Sequence, residues 1–341
     1  LRAHLQRRSR SARLLVREFE RAGGDRRQSG PRGAAVRPQA RRPFNADIAG
    51  VSVRSRRRVD YIDYKGRKCT SVSYKEHPEF QSPASPDARI WRYMDFAKFL
   101  SLIDRSALFF IRVDKLASID PFEGYYTTAN LQVDNLKFGD LPQEWRERTN
   151  IKDEKTFKLI IESNKRIREF TKLERETTFV NSWHVQEHES AAMWNIYIRS
   201  QEGIAIESTF ERLINSFSQY QDFEIHVGMV KYIDYAREII PPGNLLSPFM
   251  YKRKSFEHER ELRALIWTPQ HGKNMMGNPE QNKFRDSAGI YVSADLKTLI
   301  NRVYLAPTTE PWTLELIRNV LHKYGLTAEV IQSDLASKPV Y

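Results

Sequence analysis

The apolar residues of this chain come in short runs that switch between two periods, and that switching restricts the fold more than any other feature. "RIWRYM", "ALFFIRV", "TTFVNSWHV", "IAIEST", "VGMVKYIDY", "RVYLAP" and "TAEVIQS" are brief and rich in β-branched and aromatic residues, as strands are. Between them lie stretches of helical period. Phe96, Phe99, Leu100 and Ile103 fall on one face behind Asp95, which can cap their helix. Phe157, Ile160, Ile161, Ile167 and Phe170 do the same over residues 153–173, densely charged elsewhere, so a helical insertion is expected at about 145–175. "SAAMWNIYIRSQEG" reads as a helix capped by Ser190, and "PWTLELIRNVLHKYG" as one stopped by Gly325. Strands joined both by helices and by hairpin-length loops argue against a strictly parallel, doubly wound sheet. The expectation is an α+β fold, a central, twisted, mostly antiparallel sheet with flanking helices.

Charge divides the chain. The net charge of +12 is carried entirely by residues 1–60, where 17 arginines face 5 acidic residues and lysine is absent; the remainder balances 38 basic against 38 acidic residues. The first 60 residues therefore read as an arginine-rich tail or leader, able to bind polyanions non-specifically and too polar to build a core. Residues 61–87 read as a linker and 88–341 as a single globular domain. A neutral body argues against a nucleic-acid-binding groove. The single cysteine, Cys69, allows no internal disulfide and suits a reducing cytoplasm. No apolar run reaches the roughly 18 residues of a membrane span.

The stretch "KSFEHERELRALIW" sets Glu257, Glu259 and Glu261 at alternate positions just before an apolar run. As an extended strand it carries all three on one face. Two readings follow. Either the glutamates decorate a solvated face and pair with Lys252, Lys254 or Arg263, or they stand at the rim of a cleft, with Glu261 nearest the buried run and oriented by Arg263.

Other motifs are weaker. Asp120-Pro121-Phe122-Glu123 has capping-box spacing, so a very short helix is expected before Gly124. Met193, Trp194 and Tyr197 on one helix suit core packing or an aromatic wall beside a flat ring. His184 has no histidine or cysteine pair at metal-ligand spacing and reads as a hydrogen-bonded structural residue, so no metal is expected. The chain has no Gly-x-Ser-x-Gly, Gly-x-Gly-x-x-Gly or P-loop motif.

The ordered pieces "WRYMD", "LFFIRVDKLASIDPFEG", "VNSWH", "AAMWNIYIRSQEGIAI", "VKYIDY", "KRKSFEHERELR" and "VYLAP" resemble a bacterial family known only as domain of unknown function 2971, over roughly residues 88–330. Ala306-Pro307-Thr308 departs from it where a glycine is expected. That family implies no activity. At the level of motifs, a strand with Glu-x-Glu resembles the ADP-ribosyltransferases. There an arginine or histidine on an early strand and a serine or tyrosine element on a middle strand cradle NAD, and the final glutamate stabilises the oxocarbenium-like centre as nicotinamide leaves. The resemblance implies Glu261 and Glu259 as catalytic, and Arg92, Ser182, Trp194, Tyr197 and Arg263 as NAD-binding, with a protein or nucleic-acid acceptor, in a bacterial defence or toxin setting. Two alternatives stand beside it. One is a non-catalytic sensor or binding module with Glu261 and Arg263 as a structural pair. The other is a metal-dependent nuclease built on Asp120, Glu259 and Glu261. The three differ in geometry: a transferase gathers Arg92, Ser182 and Glu261 in one cleft, a sensor closes them by salt bridges, and a nuclease brings Asp120 beside a glutamate around a metal position.

Overall fold

The computed structural model describes residues 73–339 apart from 142, 144, 145, 147–150, 152, 198–201, 269–283, 285 and 338. It also describes the backbone of two paired two-residue strands, β1 (Tyr61–Ile62) and β2 (Lys68–Cys69). The arginine-rich segment 1–60 and most of the turn-rich stretch 268–286 lie outside the described residues.

In chain order the remaining elements are β3 (Arg89–Asp95), α1 (Phe96–Arg105), β4 (Ala107–Arg112), α2 (Thr128–Val133), α3 (Glu154–Glu174), β5 (Thr178–Val185), α4 (Ala191–Tyr197), β6 (Gly203–Thr209) and α5 (Phe210–Ser216). They continue with β7 (His226–Met229), β8 (Lys231–Ile233), β9 (Tyr251–Arg253), β10 (Glu261–Trp267), β11 (Gly289–Ser293), α6 (Leu296–Leu299), β12 (Arg302–Leu305), α7 (Pro311–Lys323) and β13 (Glu329–Gln332). The caps explain several boundaries. Asp95 accepts from the Lys98 amide at 2.8 Å and Asp153 from the Thr156 amide at 2.7 Å, each satisfying an amide that a helix start leaves orphaned. Gly325 closes α7 at φ +70°, the left-handed geometry glycine adopts without strain.

The central sheet has nine strands and is α+β as expected, antiparallel except for the β12–β13 pair. Strand β5 is its fork. One edge of β5 pairs with β10 along its whole length, and β10 pairs on with β7. The other edge takes β4 opposite Phe179 and Val180 and β3 opposite His184 and Val185. Between those two pairings β5 has no ladder partner on that edge, so its polar backbone there must be satisfied by side chains. One sheet face packs Ile90, Met94, Phe179, Trp183, Leu262, Ala264 and Ile266 into the main core against α1, α5 and α7. The opposite face carries Val180 and Leu265 in a second cluster with Phe249, and Trp91 and Tyr93 in a third with Met193 and Trp194. The functional candidates lie between these two clusters.

Two expectations change here. Glu257, Glu259 and Glu261 do not share a strand. Residues Lys254–Glu259 form a 3-10 turn, Arg260 is left-handed at φ +40°, and β10 begins only at Glu261. A period of two is as compatible with a tight turn entering a strand as with a strand, and the turn wins because β9 and β10 must change direction at this point. The Asp120–Glu123 stretch is a turn and not a capped helix: Asp120 accepts from the Phe122 amide at 3.0 Å, and the Glu123 amide donates to the Asp120 carbonyl. In addition, residues read as linker lie against the body: Tyr74 and Phe80 are buried, and Tyr74 bridges to Ile225.

Candidate functional site

Pairing register places the key groups on one face. His184 stands directly opposite Glu261 on β10 and opposite Trp91 on β3, and Ser182 stands opposite Arg263. Two interior positions of neighbouring strands thus bring Ser182, His184, Glu261 and Arg263 into a square, Cβ atoms roughly 5–7 Å apart.

Glu261 is 3% exposed and fully engaged. One carboxylate oxygen accepts from Ser182 Oγ at 2.5 Å and Arg263 Nε at 2.6 Å; the other accepts from Arg263 Nη2 at 3.0 Å and Lys252 Nζ at 3.2 Å. Burial alone raises a carboxyl pKa, but Arg263 and Lys252 outweigh it and hold Glu261 well below the usual carboxylate range. Arg263, 1% exposed, also donates Nη1 to Glu123 and to the Phe249 carbonyl, both at 2.6 Å. Its own pKa is pushed well above normal: burial works against the charge, and Glu123 and Glu261 more than offset it.

Lys252 is the hub. Its ammonium bonds Glu259 and lies 3.2 Å from Glu261 and 3.8 Å from Glu123. Burial opposes its charge, yet Glu261, Glu123 and Glu259 together push its pKa up. Glu259 has its carboxyl raised by burial, with Lys252 pulling the other way. Three buried carboxylates thus surround two buried cations, Lys252 and Arg263. The Glu123 corner is set by Gly124 at φ +73°, where a Cβ would come within 2.9 Å of the Phe249 ring. Arg175 donates to the Glu123 carbonyl at 3.0 Å, and Arg253 donates to Asp120 at 2.7 Å, bracing the same turn.

Arg92 completes the group. By ladder register it belongs with Ile90 and Met94. Its guanidinium turns into the fork between β3 and β4, where Nη1 donates to the otherwise unpaired Ser182 carbonyl at 2.7 Å and the group lies 5.8 Å from the Trp183 ring. Among the described residues it has no carboxylate within ion-pair distance. Burial depresses its pKa to about 10, and Tyr197 and Glu261 oppose that shift. Tyr197 is 42% exposed. Its hydroxyl end lies in the field of Glu259, Glu261, Lys252 and Arg92, and desolvation followed by the two glutamates pushes it up to about 12.

Of the residues named from sequence, Arg92, Ser182, Glu259, Glu261, Arg263 and Tyr197 are therefore gathered together. Trp194 is not on an open wall: it is buried edge-to-face on Tyr93, its indole N–H donating to Glu189 at 2.7 Å. The pairing of Glu261 with Arg263 and Lys252 is found, but in the interior and not on a solvated face. Asp120 is taken up by Arg253, and the position between Glu123, Glu259 and Glu261 where a cation would sit is filled by the Lys252 ammonium. Among the described residues no group of three His, Cys, Asp or Glu could hold a metal ion. The sequence reading named Lys252 only as a surface partner of the glutamates, and it missed Glu123 as the third carboxylate and Tyr232, whose hydroxyl accepts from the Glu261 amide at 2.8 Å. The Glu123-Gly124 pair, a charge next to a residue free to take positive φ, is the one signal that pointed there.

No family model, no curated protein and no solved structure matches the chain. No helix among the described residues is long and apolar enough to cross a membrane.

Proposed function

We propose that the site binds NAD and cleaves its bond between nicotinamide and ribose, passing ADP-ribose to water or to a protein or nucleic-acid acceptor. The observation that carries this reading is the charge pattern around the Ser182–Glu261 hydrogen bond. Beneath it lies a buried cluster of three carboxylates around Lys252 and Arg263; beside it, Arg92 holds a cation with no carboxylate within ion-pair distance among the described residues. NAD carries the complementary pair, a positive nicotinamide ring and a negative pyrophosphate. As nicotinamide leaves, positive charge spreads over the ribose carbon and ring oxygen. A carboxylate held permanently ionised in a low-dielectric setting stabilises that charge without reorganising. Glu261 supplies it, Ser182 and Arg263 orient it, Arg92 meets the phosphates, and the half-exposed Tyr197 ring offers a surface for the nicotinamide. The chain order Arg92, Ser182, Glu261, which resembles that of ADP-ribosyltransferases, supports the same assignment even though Glu259 lies in the turn before β10, and the single cysteine supports a reducing cytoplasmic setting.

The test is to incubate the protein with NAD and measure free nicotinamide. Glu261→Gln keeps the shape and removes the charge, and it should lower release by a factor of about 100 or more. Full activity in a folded Gln variant removes the central residue of the reading.

A second reading, a non-catalytic binding module, is favoured by the enclosure of Glu261, whose carboxylate is saturated by Ser182, Arg263 and Lys252. It predicts NAD binding without nicotinamide release, together with a lower melting temperature for Glu261→Gln.

A further inference from the structure

His184 has a geometry that its packing alone does not account for. It is 4% exposed, and Nδ1 lies 2.6 Å from the Glu259 carbonyl oxygen. A carbonyl can only accept, so Nδ1 carries the hydrogen and Nε2 of the neutral ring is a bare lone pair. That lone pair is buried and has no hydrogen-bond partner among the described residues. The turn that presents the Glu259 carbonyl is itself held against strain. Arg260 is non-glycine at φ +40°, ψ 51°, with its amide donating to the Glu257 carbonyl and its own carbonyl accepting from Val185. Strained backbone persists where its surroundings over-determine it, and such positions cluster at working sites.

The ring's neighbours fix its place. Glu261 is its cross-strand partner on one side and Trp91 on the other. The Tyr93 ring meets it edge-on at 6.4 Å. Arg260 and His258 face it from the preceding turn, and Tyr93 brings no charge. Burial first, then Arg260 and His258, depress the imidazolium against the opposing pull of the Glu259 carbonyl.

We propose that His184 is the general base of the site, its Nε2 taking the proton of the water or acceptor hydroxyl that attacks the ribose carbon. The proposal rests on the NAD-cleaving reading above. The bond from ribose carbon to nicotinamide nitrogen breaks, and its electron pair neutralises the departing ring. A bond from the incoming oxygen to that carbon forms, and the oxygen's proton passes to Nε2, from which the imidazolium returns it to solvent. Glu261 cannot take this role. A carboxylate held ionised by Arg263 and Lys252 is a poor proton acceptor, so stabilising charge and accepting a proton fall to two adjacent side chains on paired strands.

The experiment follows nicotinamide release from NAD by the full chain between pH 4.5 and 8.5, in the parent and in His184→Gln, which keeps an acceptor but cannot carry the proton. The parent kcat should fall toward acid pH as the imidazole protonates, with its midpoint below that of an ordinary histidine because burial, Arg260 and His258 depress it. The Gln variant should lose a factor of about 100 to 10,000 in kcat with KM little changed, and should lose that acid limb. An active parent with a Gln variant of equal kcat and the same acid limb overturns the proposal and leaves the proposed function standing. A parent that releases no nicotinamide at any pH overturns both. Should the Gln variant not fold, nitrogen-15 spectra of the parent's histidines decide. One ring must show a proton on Nδ1 and a bare Nε2 whose resonance moves when ADP-ribose is added; no such ring, or one indifferent to ADP-ribose, sinks the proposal.

Discussion

Arg263→Met isolates the energetics of the buried cluster. The guanidinium makes four hydrogen bonds, two to Glu261 at 2.6 and 3.0 Å, one to Glu123 at 2.6 Å and one to the Phe249 carbonyl at 2.6 Å. Methionine keeps the apolar stem and removes all of them. Glu123 is then left with Lys252 at 3.8 Å, and Glu261 with Ser182 and Lys252. Three carboxylates then face the single Lys252 ammonium. Removing one partner of a buried pair costs about 3–5 kcal/mol, because the other charge stays buried and uncompensated. That is a large share of the roughly 5–15 kcal/mol by which domains are stable. Urea unfolding at pH 7, followed by tryptophan fluorescence, should show the loss as a lower midpoint with little change in slope. The loss should persist in 1 M salt, since buried pairs are poorly screened. Adding Glu123→Gln restores the charge count and should recover about 0.5–3 kcal/mol as a coupling term. A loss below about 1 kcal/mol, the scale of a surface pair, would refute the claim that this cluster is desolvated.

Three further outcomes follow from the same geometry. Arg92→Leu should lower stability by about 1–3 kcal/mol, because it leaves the Ser182 carbonyl without its donor, while KM for NAD rises about 10- to 100-fold, the scale of one hydrogen bond to a charged group; an unchanged KM would detach Arg92 from the ligand. Gly124→Ala should destabilise by about 1–3 kcal/mol, since it combines a positive φ with a Cβ 2.9 Å from the Phe249 ring; calorimetry showing no shift would mean the turn re-forms freely. Glu261, whose folded pKa is depressed, contributes stability that is present above its unfolded value of 4.5 and is lost as the pH falls below it. Melting curves of the parent and Glu261→Gln should therefore converge on going from pH 7 to pH 2; a gap that stays constant would contradict the depressed pKa.

Much of the fold was legible because local chemistry and tertiary structure agree there. Asp95 caps the helix expected of it, the helix expected over 153–173 forms, Gly325 ends α7, and "TTFVNSWHV" and "ELRALIW" are strands because their two faces both meet packed side chains. The glutamate triplet was misleading for a physical reason. Alternation reports which side chains could share a strand face, but the chain must reverse between β9 and β10, and a 3-10 turn ending in left-handed Arg260 absorbs Glu257 and Glu259. Trp194 was ambiguous because a core residue and a stacking residue look alike on a helix; what decides is that Tyr93 and Glu189 occupy its ring and its N–H.

By itself the sequence determined the inventory: an α+β pattern of short strands, a basic excess confined to residues 1–60, and a strand through "LRALIW" with carboxylates leading into it. Only the tertiary structure decided what those charges do. Glu123, Lys252 and the segment Glu259–Arg263 are far apart along the chain, and nothing local couples them; the fork at β5 and the packing of the Gly124 turn on Phe249 bring them within hydrogen-bond reach. The same is true of His184, whose lone pair is bare because the Arg260 turn aims a carbonyl at its other nitrogen. Spacing along a chain fixes which neighbours share a face, but the partners of a buried charge are set by which distant segments the core draws together, and those partners determine its protonation and its chemistry.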